Sequence, residues 1–496
     1  MVSLKQLGEQ TGIKFGTSGV RGLVVDMTDY VCFAYTTAFL QRVTDLGQLV
    51  AGGRVMVAGD LRSSTPHIKR AIMAAIKAFG AEPVDCGLIP TPAVAFYAMQ
   101  NQAPSIMVTG SHIPEDRNGI KYYRADGEIL KADEAAILAY TFSADSRFSV
   151  EGNLLASAPQ PQACDQAYRV FLQRYTKVFA ADALKGKRIG IYQHSTVIRD
   201  MLVEVVEALG GEAIALARAN EFISVDTEAI RPEDVVLAKR WADQYLDQGT
   251  PLDAILSADG DGDRPLIADE HGEWLRGDVL GILVSQYLQI NQLAVPVSCN
   301  TAVDICGDFS VVERTKIGSP YVIAAMEDLS GRVAGYEANG GYLLASELRL
   351  NQQVLAALPT RDALLPMLAV MLHAFTQGKT LSQLQSDLPS RFTLSDRNKA
   401  FPTEVSQALL GQLVGDGQLN GLCERAQQFL GDVFSEDKVQ HVNTTDGVRI
   451  SLVSGRIVHF RPSGNAPELR CYVEADDVAT AEALLVDGME CLASKL

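Results

Sequence analysis

The sequence predicts an α/β protein in which one α/β unit is used three times, followed by a smaller α+β domain. Two observations predict this. A strand–helix–strand pattern recurs about every 120–130 residues, far longer than a solenoid period. After about Pro389 the pattern changes to short helices and alternating strands. Length agrees, because 496 residues exceed what one hydrophobic core serves.

In the first copy the strand-like run Arg54–Asp60 precedes Ile68, Ala71, Ile72, Ala75, Ile76 and Phe79. In the second, Arg188–Gln193 precedes Ile198, Met201, Leu202, Val205, Val206 and Leu209. Both sets have the spacing of one helix face, and Gly80 or Gly210 follows, as at a left-handed helix end. Strand-like "EPVDCG" and "EAIALA" come next. The third copy is shorter, with Val322, Ala325, Met326 and Leu329, then Ser330-Gly331 and "RVAGYE". This order predicts mostly parallel sheets covered by helices, with functional loops after the strands' carboxyl ends. The last region reads as helix "VSQALLGQLVG", strands "GVRISLVSG" and "RIVHFRPSG", and helix "VATAEALLVDGMECLASKL". The expected segments are 1–158, 159–273, 274–388 and 389–496.

Composition narrows the function. Apolar residues make up 47% and charged residues 21%, as in soluble proteins, and no run is long enough to span a membrane. The N-terminus lacks a signal peptide's apolar stretch. Eight scattered cysteines with no CxxC pair predict reduced thiols in a cytoplasm. A net charge of −17 argues against nucleic acid, so any phosphate-binding cations must be concentrated in a site.

Five loops besides that of Ser111 could carry chemistry. In "SADGDGDRP", Asp259, Asp261 and Asp263 alternate with glycines after an apolar strand. Three carboxylates in five residues repel one another unless a hard cation joins them, and three protein ligands suit a magnesium-type site that also holds phosphate. A solvated acidic turn is the simpler alternative; an EF-hand fails because Arg264 stands where its glycine belongs. Arg264 is a candidate phosphate or sugar contact. In "RPSGNAPELR", Arg461, Ser463 and Arg470, with amides freed by Gly464, could form an anion nest or merely a tight turn. In "GYEANGG", Glu337 and Asn339 suit vicinal hydroxyls, although Glu337 could instead cap a helix. "KFGTSGVRG" places Ser18 and Arg21 in a glycine-rich turn, and "GDLRSSTP" places Asp60 and Arg62 after a strand.

Ser111, in "TGSHIPEDRNGIKYY", could be a helix cap or a nucleophile. It lacks the GxSxG pattern, and an adjacent serine and histidine rarely form a triad. A serine beside a metal loop and arginine loops fits phosphoryl transfer, where neutralisation and positioning do most of the work.

Taken in order, "FGTSGVRG", "GDLRSSTP", "GLIPTP", "TGSHIPEDRNGIKYY", "DGDGDRP", "GYEANGG" and "RPSGNAPELR" resemble the α-D-phosphohexomutase family, which includes phosphomannomutases and phosphoglucomutases. The resemblance implies four domains around a central cleft, three of them mixed α/β/α sandwiches and the fourth closing over the substrate phosphate. Ser111 would carry the phosphoryl group. Asp259, Asp261 and Asp263 would hold Mg2+, completed by a phosphoserine oxygen. Glu337 and Asn339 would bind the sugar. Arg461, Ser463, Gly464, Asn465 and Arg470 would lie in the loop that grips the non-reacting phosphate. Arg21, His112, Lys121 and Arg264 would surround the transferring group. The implied reaction interconverts hexose 1-phosphate and hexose 6-phosphate through a hexose 1,6-bisphosphate, which also serves as activator.

Three places depart from the family pattern. The sugar loop has Gly341 where a histidine is common, leaving Lys121 or His112 as proton acceptors. The phosphate loop reads "NAP" rather than Thr-Glu-Pro or Thr-Thr-Pro, and Ser319-Pro320 stand where some members place a histidine. Mannose phosphate is the expected substrate. Glucose or glucosamine phosphate, or a non-catalytic sugar-phosphate binding protein, are the alternatives.

Overall fold

The strand Arg54–Gly59 is buried along all but its first residue and lies between two parallel neighbours, Glu82–Leu88 and Ser105–Val108. That two-sided burial is why it reads as an unbroken apolar run. The computed structural model describes residues 2–16, 18–143, 146–156, 161–399, 401–415, 421–462 and 468–495. Helix Thr65–Phe79 buries the predicted apolar stripe and stops at Gly80, whose φ is 89°. The second and third copies repeat the device with helices Arg199–Ala208 and Ser319–Glu327, followed by left-handed Gly210 and Gly331.

The three copies build three sheets of one plan. In each, a central parallel strand turns back through a short loop into an antiparallel strand. Ser105–Val108 returns as Arg117–Arg124, Ala254–Ala258 as Pro265–Ala268, and Val333–Tyr336 as Tyr342–Leu344. The returning strand makes the sheets mixed rather than mostly parallel. The first goes further, because Gly19–Leu23 and Lys14–Phe15 extend it with antiparallel pairs. Ser111, the aspartate triplet and Glu337 all lie in these return loops, at the carboxyl ends of the central strands.

Apolar side chains from all three sheets merge into one continuous core, which includes Met107, Leu256 and Ala334. The C-terminal segment has its own core around Phe401, Ile450 and Phe460. Its sheet is wholly antiparallel, in the order Phe392–Asn398, Leu469–Ala475, Ile457–Pro462, Val448–Leu452 and Val439–Asn443. The edge strands Phe392–Asn398 and Val439–Asn443 escaped the sequence reading because they are mostly polar and exposed. Polar contacts join this sheet to the others: Thr301 N donates to Glu474 at 2.9 Å, and Ile317 N to Asp446 Oδ2 at 2.9 Å.

His459 lies inside the fourth sheet, 2% exposed, with Nε2–H donating to the Asp446 carbonyl at 2.6 Å and its ring stacked on Tyr472. Burial lowers its pKa to about 4, with Arg449 also disfavouring the charged ring. Below the ordinary histidine pKa of 6.5 the unfolded chain binds a proton that the folded one refuses. This contribution to stability is therefore complete above pH 6.5 and lost as pH falls toward 4, by roughly 3 kcal/mol. Urea midpoints across that range should fall in the parent protein and fall less in His459→Gln.

Candidate active site

Ser111 sits in the first return loop with φ 55°, in the left-handed region that few non-glycine residues adopt. No helix follows it, so the cap reading is excluded. Arg62 builds the loop. Its guanidinium is 1% exposed, pairs with Asp60, and donates to four loop carbonyls: Ser111 at 3.0 Å, Ile113 at 2.5 Å, Pro114 at 2.7 Å and Arg117 at 3.0 Å. The ring of Phe222 lies 3.9 Å from that guanidinium.

The second return loop meets the first. Ser111 Oγ donates to Asp259 Oδ2 at 2.5 Å. A Cβ at Gly260 would stand 2.7 Å from the Ser111 carbonyl, so the approach needs a glycine. Thr91, in the "GLIPTP" segment, donates to Asp261 from both its amide (2.9 Å) and its hydroxyl (2.5 Å). Asp259, Asp261 and Asp263 are all buried, each offering an oxygen within 4.8 Å of the others. Lys121 Nζ lies 2.6 Å from Oδ2 of both Asp261 and Asp263. Burial and the two neighbouring carboxylates push the Asp259 carboxyl well up. Burial acts the same way on Asp263, but Arg361, Lys121 and Arg264 outweigh it and hold that carboxyl far below its usual range.

His112 Nδ1 accepts from Arg264 Nη1 at 3.0 Å, which leaves the proton of the neutral ring on Nε2. Burial and Arg264 lower its pKa to about 3. Arg21 lies in strand Gly19–Leu23 rather than in a turn, and burial with Arg264 and Arg361 nearby lowers its pKa to about 10. Arg21, Arg264 and Arg361 repel one another and all line the cleft, which makes a place for an anion.

The third return loop carries Glu337 and Asn339, both buried. Glu337 precedes a strand, so it caps no helix. Asn339 Oδ1 accepts from the Gly341 amide at 3.0 Å and shapes the loop itself. Arg361 joins this loop to the metal loop, contacting Glu337 at 3.3 Å and Asp263 at 3.0 Å.

These groups open on a cleft of about 720 Å³. At its far side the strand register sets Arg397 opposite Arg470, and Arg470 opposite Arg461. Like charges placed directly across a sheet destabilise it unless an anion lies among them. Glu468 and Asp446 neutralise the row in part, with Arg461 3.0 Å from Asp446. Ser463, Gly464 and Asn465 lie outside the described residues.

Comparison with known proteins agrees with this geometry. The family model for phosphoglucomutase/phosphomannomutase alpha/beta/alpha domain I matches residues 12–148. That for alpha/beta/alpha domain III matches 276–392, and that for the C-terminal domain matches 419–490. A phosphomannomutase of Salmonella muenchen is 45% identical over 490 residues, covering 98% of this chain and 97% of the relative. The chain belongs to the α-D-phosphohexomutase family. A second phosphohexomutase, the phosphomannomutase of Sinorhizobium fredii, is 42% identical over 98% of this chain and 100% of its own. The solved phosphoglucomutase/phosphomannomutase family protein of Burkholderia thailandensis shares the fold, with a TM-score of 0.72 at 19% identity over 100% of this chain and 98% of that one.

The cleft of this phosphohexomutase is thus lined by Arg21, His112 and Arg264 on one side and by Arg461 and Arg470 on another, with Ser111, Lys121 and the aspartates buried directly behind His112 and Arg264. The sequence reading missed Arg361, Arg397 and residues 217–231. That stretch has no regular structure, yet Ser224 donates to the His112 carbonyl and Thr227 to the Asn339 carbonyl at 2.7 Å. It also brings Asp226 and Glu228 to the cleft. Its five charged residues, Arg218, Glu221, Asp226, Glu228 and Arg231, are framed by no motif.

Because a lysine cannot serve four carbonyls, Arg62→Lys should lower stability by about 3 kcal/mol in chemical denaturation although it keeps the charge. The same variant should lose most of its turnover, since the Ser111 loop loses its anchor.

Proposed function

We propose that this chain is a phosphomannomutase that interconverts mannose 1-phosphate and mannose 6-phosphate through a phosphoserine at Ser111 and a hexose 1,6-bisphosphate. The observation that carries this reading is Ser111 Oγ, 2.5 Å from Asp259 and beside His112, which lines a cleft that also holds Arg21, Arg264, Glu337, Arg461 and Arg470. Two anion sites suit a substrate that holds a phosphate at each end midway through its reaction. The identity to two phosphomannomutases supports mannose as the hexose.

The phosphoryl group passes from Ser111 Oγ to the free sugar hydroxyl, and the intermediate then reverses so that its other phosphate returns to Ser111. Arg21 and Arg264 hold the oxygens of the moving group, while Arg461, Arg470 and Arg397, with Ser463, Gly464 and Asn465, grip the resting phosphate. Glu337 and Asn339 hold the sugar between them. Lys121 is occupied by Asp261 and Asp263, and His112 Nδ1 by Arg264. We assign the hydroxyl proton instead to one of the carboxylates that line the cleft, Asp226 or Glu228. The fourth segment, 389–496, meets the substrate phosphate, and 1–158, 159–273 and 274–388 supply the other loops.

The aspartates fit a hard cation. Asp261 Oδ1 and Asp263 Oδ1 are buried and accept no hydrogen bond among the described residues. Asp259, Asp261 and Asp263 would hold Mg2+, with Ser111 as a further oxygen donor. When bound, the cation neutralises charge on the phosphoryl oxygens. Free thiols at all eight cysteines suit a reducing cytoplasm.

The test is ³¹P NMR with magnesium, trace hexose 1,6-bisphosphate, and mannose or glucose 1-phosphate in parallel, alongside intact mass. Mannose 1-phosphate should be consumed faster than its glucose epimer, and one phosphoryl group should appear on Ser111. Ser111→Ala should lose at least about a thousandfold in turnover. Chelation should abolish activity, and magnesium should restore it. Full activity in Ser111→Ala would refute the phosphoserine route.

A further inference from the structure

Arg361 lies on strand Leu358–Asp362 with its side chain 3% exposed. Its Nε donates to Asp263 Oδ2 at 3.1 Å, and Nη2 lies 3.0 Å from the same oxygen. Nη1 donates to Glu337 Oε2 and to Ser319 Oγ, both at 3.3 Å. Ser319 Oγ in turn donates to Glu128 Oε2 at 2.8 Å, and Glu128 also accepts from Ser18 and Thr360 at 2.7 Å each. One planar group therefore ties the metal loop to the sugar loop, braced by a buried carboxylate from the first sheet.

Position 341 shows how the guanidinium reaches this place. A Cβ at Gly341 would stand 2.6 Å from Arg361 Cδ and 2.7 Å from Cγ, closer than side-chain atoms can pack. Gly341 is not among the residues with left-handed φ, so its backbone would accept alanine. The glycine is required by volume, not by conformation. The same absence of a side chain lets Arg361 lie flat between Asp263 and Glu337.

We infer that Arg361 is a positioning residue for the sugar loop and that residues 341 and 361 share one volume, glycine at the first being the condition for arginine at the second. The inference rests on the mutase reading for its assay. It separates Glu337 from free rotation: the carboxylate that meets the sugar hydroxyls is held by one oxygen, Oε2, leaving Oε1 for substrate. A lysine at 361 would keep the charge but could not span Asp263, Ser319 and Glu337 together.

The experiment compares the parent with Gly341→Ala, Arg361→Lys, Arg361→Ala and the Arg361→Ala/Gly341→Ala double variant. Each is assayed for kcat and KM with mannose 1-phosphate, for thermal unfolding, and for phosphoryl content after exposure to hexose 1,6-bisphosphate. Gly341→Ala and Arg361→Lys should remain folded and accept phosphate on Ser111. Both should lose about ten- to a hundredfold in kcat/KM, mainly through KM, as expected when a charged hydrogen bond to a binding group is lost. In the Arg361→Ala background the added methyl at 341 should cost far less, because its main competitor is gone and only the 3.1 Å approach to Asn339 Oδ1 remains. Equal cost of Gly341→Ala in both backgrounds would overturn the shared volume. Full rescue by Arg361→Lys, or losses that track melting temperature with KM unchanged, would overturn the positioning role. Should Arg361→Ala not fold, Gly341→Ala and Arg361→Lys still decide through their KM. Absence of turnover in the parent itself would instead refute the mutase reading.

Discussion

Three carboxylates buried within one five-residue loop are the constraint on which the rest of the cleft depends. Isolated charges of one sign do not survive burial, so the surroundings must supply the opposite sign. Lys121 comes from the first sheet and Arg361 from the third, while Arg264 follows the loop itself. Each sheet therefore contributes a charge to a loop that belongs to the second. The electrostatics of the triplet hold the three return loops against one another, and the merged apolar core behind them gives the arrangement a rigid backing.

The layout also divides labour. The loop ends of the three related sheets carry Ser111, the aspartate triplet, Glu337 and Asn339. The fourth sheet brings Arg397, Arg461 and Arg470 to the cleft and packs around a core of its own. Its seam with the others is polar, running through Glu474 and Asp446. Seams of this kind are compatible with relative motion between domains, which a substrate that must turn end for end requires.

Much of this was legible in the sequence because the informative residues are contiguous. The helix stripes ending in Gly80 and Gly210, the alternating aspartates and "TGSHIPEDRNGIKYY" each announce an element from within a dozen residues. What escaped depends on register or on distant neighbours. Arg397 becomes informative only when strand pairing sets it beside Arg470. Glu128 looks like an ordinary strand residue until hydroxyls from residues 18, 319 and 360 converge on it. Residues 217–231 have no periodicity because they pack against loops rather than in a sheet. The polar edge strands of the last domain lacked the alternation that marks a half-buried strand.

The row formed by Arg397, Arg470 and Arg461 has one more consequence. Its members stand on adjacent hydrogen-bonded strands, so their backbone separation is set by the inter-strand distance of about 4.8 Å. That ruler cannot be lengthened or shortened by substitution without unzipping the sheet. Evolution can change the charge at each mark but not the interval between marks. An anion held across this row therefore meets a fixed gauge, whereas the loops on the opposite wall are free to change their spacing.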